Sequence, residues 1–123
     1  MAASIELRDG DLIVHIHGWD MLRAMRGSVR VPLAHVTGIR PRPPEAHFDD
    51  VIVDTPLGVG VYVPGDYAVG TLYLRDGRSF YDVHDPDKTV AIDLRHEDLT
   101  HLVLELDDEA PEEAVRRIER ALG

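Results

Sequence analysis

Pro111-Glu112-Glu113-Ala114-Val115-Arg116-Arg117-Ile118-Glu119-Arg120-Ala121-Leu122-Gly123 is the stretch that decides the fold. It is a complete helical unit. Proline suits the first helical position, and glycine suits the residue past the end. Glu112 and Glu113 lie at the positive pole of the helix dipole, and Arg116, Arg117 and Arg120 lie toward the negative pole. Glu112–Arg116 and Glu113–Arg117 are spaced as favourable i,i+4 pairs. Val115, Ile118 and Leu122 form an apolar stripe that predicts packing against a sheet or a barrel opening.

Upstream of that helix the apolar residues fall mainly in short runs broken by Gly, Pro and Asp, as strands and turns require. Ile5-Glu6-Leu7-Arg8 alternates, Asp9-Gly10 is a two-residue turn signal, and Asp11 to His17 alternates again, with Leu12, Val14 and Ile16 on one face. This predicts a hairpin. Residues 18–27 break the pattern, with Trp19, Leu22 and Met25 three apart. Ser28 to Leu33 returns to alternation. Pro32 has no N–H to give, so this strand is predicted to lie at an edge or to end there. Pro41 to His47 reads as a loop, 51–53 as a short strand, Gly58 to Gly65 as a further stretch with Val at 59, 61 and 63, and 69–74 with 78–83 as a second hairpin around Asp76-Gly77. Asp85-Pro86-Asp87-Lys88 is a further turn, and 89–94 and 102–106 are the last strands. Seven or eight strands and a final helix give a mainly β chain. Its 123 residues fit one domain, 1–123, large enough to bury a core without staples.

Charge and composition exclude several function classes. Residues 1–42 hold six Arg and four acids, whereas 43–123 hold seven basic and nineteen acidic groups, so the net charge of −10 sits in the second part. An acidic surface of this kind repels phosphate backbones and weighs against nucleic acid and anionic lipid as partners. The absence of cysteine removes disulfides, zinc thiolates, iron–sulfur clusters and cysteine nucleophiles. No basic run followed by an apolar stretch opens the chain, and no apolar run approaches the roughly 20 residues of a membrane helix. Together these features point to the cytoplasm.

Catalytic and metal motifs fail on spacing. His15 and His17 project to one side of a strand, but no third ligand is identifiable. His96 and His101 are five apart, where a zinc-protease helix needs four. Gly60 to Gly65 has phosphate-loop glycine spacing, but Asp66-Tyr67 stands where Lys and Ser/Thr belong. Asp82, His84, Asp85 and Asp87 bunch near a turn without the glycine of a calcium loop. None of Ser4, Ser28 and Ser79 lies in a nucleophile elbow. An acid–base enzyme using His84 with Asp82 or Asp85 stays open as an alternative. No cofactor is implied.

Several stretches resemble a known family. Trp19, Leu22 and Arg26, then Val31-Pro32-Leu33-Ala34-His35-Val36, look like the early strands of small bacterial pleckstrin-homology-like proteins. Pro64-Gly65, Gly70-Thr71, Phe80, Asp85-Pro86, Val90-Ala91-Ile92 and Leu102 to Asp108 continue the likeness over nearly the whole chain. The resemblance implies a bent, partly open barrel of about seven antiparallel strands closed by the C-terminal helix. It carries no catalytic motif, and the family's bacterial members mostly lack an assigned activity. Phosphoinositide-binding members of the wider superfamily carry a lysine-rich loop between the first two strands. Here Lys88 is the only lysine, and Arg23, Arg26 and Arg30 are the nearest substitute. The expectation is therefore a non-enzymatic binding or scaffolding module acting through a protein partner or a second copy. Lipid-headgroup or small-ligand binding is the alternative. The candidate binding residues are Trp19, Met21, Leu22, Arg23, Met25 and Arg26, because aromatic, Met and Arg side chains are enriched at interfaces.

Overall fold

The computed structural model describes residues 3–17, 27–46, 59–63, 67–74 and 77–123. The first hairpin forms where expected. Strands β1 (Ala3–Arg8) and β2 (Asp11–Ile16) pair antiparallel with Arg8 opposite Asp11. Asp9 and Gly10 have φ of 53° and 79°, the two left-handed residues that let a two-residue turn follow the strand twist. Strand β3 (Ser28–Pro32) pairs with β2 on its other side, so it is the edge of a three-stranded sheet, as Pro32 predicted.

The second sheet has six strands: β4 (Val36–Pro41), β5 (Val59–Val63), β6 (Tyr67–Leu74), β7 (Gly77–Val83), β8 (Thr89–Leu94) and β9 (Leu99–Glu105). Their order is β4-β8-β9-β7-β6-β5. β9 inserts between β8 and β7 and lies parallel to β7, whereas every other pair is antiparallel. The mainly β class with one C-terminal helix therefore stands. The expected set of about seven antiparallel strands does not: the described residues form nine, one pair is parallel, and the two sheets they form do not close into a barrel. A single parallel bridge, Ala3 to Leu106, joins them at one corner, reinforced by the Asp107 N–H donating to the Ala3 carbonyl at 3.2 Å.

The second hairpin differs from the first by one residue. Leu74 pairs with Gly77, so Gly77 stands inside β7 and not in the turn, despite the shared Leu-Arg-Asp-Gly sequence. The last strand starts at Leu99, three residues before the expected Leu102, because Thr100 is taken up by a register shift against β7. The 51–53 strand lies outside the described residues.

Between the sheets lies the main core. β1 to β3 contribute Ile5, Leu12, Val14, Ile16, Val29 and Val31, and the larger sheet contributes Val69, Phe80, Val90, Ile92, Leu102 and Leu104. A second buried cluster, Ala46, Ala68, Tyr81, Val83, Ala91 and Val103, covers the opposite face of the six-stranded sheet. The centre of that sheet is thus buried on both faces.

The helix α1 (Pro111–Leu122) has the expected bounds and packs against β4, β8 and the 3-10 turn Leu33–His35. Its buried residues are Pro111, Ala114 and Ile118, so of the expected Val115–Ile118–Leu122 stripe Ile118 is buried and Val115 half-buried. Leu122 is 41% exposed. The helix starts from Ala110 without a side-chain cap, with Pro111 in its first turn. Tertiary partners also replace the expected i,i+4 pairs. Glu112 binds Arg42, and Arg117 binds Glu109.

Candidate functional site

Residues Trp19, Met21, Leu22, Arg23, Met25 and Arg26, named from sequence as the binding segment, lie outside the described residues. The structure places several of the other sequence candidates. His15 Nε2 bonds Glu6 Oε1 at 2.8 Å, and His17 Nε2 and Ser4 Oγ share a hydrogen bond at 2.8 Å. The hydrogen bond from His15, opposed by desolvation and helped by Arg8, holds the Glu6 carboxyl below its usual range. His96 sits in the turn 95–98 and His101 in β9, so the two are not on one element. Asp85 accepts from the Asp87 N–H at 3.0 Å and caps a 3-10 turn, while Asp82 lies fully buried on the core face of β7. Among the described residues no group of three His, Asp or Glu side chains could hold a metal ion.

Two polar arrangements were not read from sequence. On the second face of the large sheet, Asp93 accepts from His101 Nδ1 at 2.8 Å and from Arg40 Nη2 and Nε at 2.9 and 3.1 Å. Burial pushes the Asp93 carboxyl up, but the hydrogen bonds from Arg40 and His101 outweigh it and hold it below the ordinary value. Ser79 is the register neighbour of His101, and Asp93 flanks it on the other side. The row does not make a nucleophilic triad. His101 turns Nδ1 to Asp93, and the Ser79 hydroxyl, fully buried, makes no hydrogen bond to the ring.

The second arrangement is an open cleft of about 220 Å³ between the three-stranded sheet and one end of the larger one. Ser28, Val29, Arg30 and Val31 form one wall; Thr71, Arg78, Glu97, Asp98 and Leu99 form the other. The turn carrying Glu97 and Asp98 is clamped in place. The Arg95 N–H donates to the His35 carbonyl at 2.8 Å, and Arg95 Nη2 donates to the Ala34 carbonyl at 3.1 Å. His35 Nδ1 donates to Glu97 Oε2 at 2.5 Å, and the His35 and His96 rings meet edge-on at 5.7 Å. His96 takes a φ of 60°, a left-handed conformation that costs a non-glycine residue on the order of 1 kcal/mol and that these contacts offset.

What makes the cleft a candidate site is the backbone of β3. The Ile16 N–H donates to the Gly27 carbonyl at 3.0 Å, and the Leu33 N–H donates to the Gly10 carbonyl at 2.9 Å. Bonded pairs alternate in an antiparallel ladder. With the β2–β3 register, Gly27, Val29, Val31 and Leu33 therefore bond inward to β2. Ser28 and Arg30 turn both N–H and C=O away from β2, toward the open side, and Pro32 adds a carbonyl only. No described strand pairs there. Arg30 Nε is bonded to Asp11 Oδ2 at 2.7 Å. No motif announces this site because its residues come from four separate stretches of chain. Pro32 was the one signal, since it marked the strand as an edge.

No protein-family model, no curated protein and no solved structure matches the chain.

Proposed function

We propose that the chain is a non-enzymatic protein-interaction module that takes an extended segment of a partner onto the edge of β3 that no described strand pairs with. The observation that carries this reading is the outward-facing backbone of Ser28 and Arg30 beside an open cleft. Adding a strand to such an edge supplies main-chain hydrogen bonds for affinity and side-chain pockets for selectivity. A second copy is the weaker occupant. Two β3 edges paired about a twofold at Arg30 would set like charges opposite one another, which destabilises a cross-strand pair. Lipid headgroups are disfavoured by the net charge of −10 and by the engagement of Arg30 with Asp11. The residues that resemble pleckstrin-homology-like proteins and the lack of cysteine support a pleckstrin-homology-like domain working in the cytoplasm. The parallel β7–β9 pair departs from the family's antiparallel pattern.

A displayed library of random peptides, selected on the full chain, tests the reading. Selected peptides should slow hydrogen exchange at the Ser28 and Arg30 amides. Arg30→Pro, which deletes an edge N–H, should weaken them about tenfold, the loss of one backbone hydrogen bond. Arg30→Ala keeps the N–H and should bind within a few-fold of wild type. Failure to enrich any peptide, or selected peptides that leave the Ser28 and Arg30 amides unprotected, would overturn it.

A further inference from the structure

We infer that the segment taken by the β3 edge is basic, with a Lys or Arg side chain directed at the Glu97–Asp98 wall; this rests on the strand-addition reading above. Three observations converge. A strand added to β3 sends alternate side chains into the cleft, because side chains alternate across a strand. The wall they meet carries Glu97 and Asp98, held in place by the Arg95 and His35 contacts with the 3-10 turn. On the β3 side the positive charge of Arg30 is already met by Asp11. With that pair set aside, the cleft lining holds two carboxylates, Glu97 and Asp98, and one guanidinium, Arg78.

The long-range field acts the same way. Residues 43–123 carry the whole negative excess of the chain, and Glu97 and Asp98 belong to that part. Such a field raises the encounter rate of a cationic segment and lowers that of an anionic one, with an effect that fades as salt is added. An acidic segment would have to approach Arg30 and Arg78 past that excess. The inference therefore separates the short-range contribution, which depends on two named side chains, from the steering contribution, which depends on net charge.

The probes are two synthetic peptides, Val-Thr-Val-Lys-Val-Lys-Val-Thr-Val and the same peptide with Glu in place of both Lys. Each exposed ion pair shifts affinity by a few-fold, so two of them should favour the Lys peptide by roughly tenfold at low salt. In the double variant Glu97→Gln, Asp98→Asn the preference should collapse toward parity, while binding of a Thr-for-Lys peptide stays unchanged. High salt should shrink the preference in the wild type. Equal binding of the two charged peptides with protection at Ser28 and Arg30, or a preference for the Glu peptide, would overturn the basic-ligand inference and leave the edge reading intact. No protection at Ser28 and Arg30 with any of the three peptides, together with no enrichment from the random library, would overturn both. A preference undiminished in the double variant assigns it to net charge and overturns the role given to Glu97 and Asp98.

Discussion

Arg117 on the C-terminal helix donates Nη2 to the backbone carbonyl of Ile5 on β1 at 2.9 Å, linking positions 112 residues apart. The same guanidinium binds the Glu109 carboxylate through two donors. The hydrogen bond to Glu109 raises the Arg117 pKa above its usual value, against an opposing effect of burial. One side chain thus ties the helix, the loop before it and the first strand together.

Arg117→Ala should cost about 1–2 kcal/mol in urea unfolding, because it strips a partner from a Glu109 side chain only 11% exposed and from the Ile5 carbonyl. Arg117→Lys should recover less than half, since an ammonium cannot reproduce the planar fork. Unfolding midpoints equal to wild type in both variants would show that the link is incidental.

The helix makes a second, sharper test. Ile118 is fully buried in the main core, so Ile118→Ala should cost about 2–4 kcal/mol. Leu122 is 41% exposed and should tolerate alanine within about 0.5 kcal/mol. Equal losses at the two positions would restore the stripe read from sequence.

That stripe shows where local pattern stops. Helix bounds follow from Pro111 and Gly123, and the first hairpin follows from Asp9-Gly10, because capping and turn chemistry are local. Which helix face is buried depends on the angle at which the helix meets β4 and β8, and no window of sequence contains that angle. The parallel placement of β9 beside β7 is likewise a choice among long-range partners. Leu99 to Glu105 carries apolar residues that would suit either neighbour, so its order in the sheet was not legible. The cleft followed from sequence only through Pro32. Arg30 appeared there as a lipid candidate, and Glu97 and Asp98 as part of a failed zinc motif.

Gly77 offers a test of the shifted second hairpin. Its φ is +126°, and a Cβ there would stand 2.7 Å from Thr100 Cγ2. Gly77→Ala should therefore cost about 2–3 kcal/mol through backbone strain and overlap together. Gly10→Ala meets no atom within 4 Å and should cost only about 1 kcal/mol, from its φ of 79° alone. Adding Thr100→Ser to Gly77→Ala removes Cγ2 and keeps the hydroxyl that donates to the Arg78 carbonyl at 2.9 Å. The pair should recover part of the loss, a coupling that additive variants would not show. Strict additivity would place Gly77 in the turn and not in the strand.

Asp93 sets the behaviour in acid. Its folded-state pKa lies below the ordinary 3.8, because the hydrogen bonds from Arg40 and His101 outweigh the cost of burial. A depressed carboxyl binds its proton less readily in the folded state than in the unfolded one. Its contribution to stability is therefore fully present above the unfolded pKa, and it is lost as pH falls through the folded value. Asp93→Asn removes the titrating group and keeps the shape. Urea midpoints measured from about pH 5 down to pH 2 should fall less steeply in Asp93→Asn than in the wild type, with the two curves converging at the acid end. Glu6, whose carboxyl is also depressed through His15, adds to the slope in both proteins and so does not blur the comparison. Parallel curves across that range would mean that the Arg40–Asp93–His101 contacts do not favour the ionised carboxylate. In that case the three side chains contribute packing to the sheet face and no charge-dependent stability.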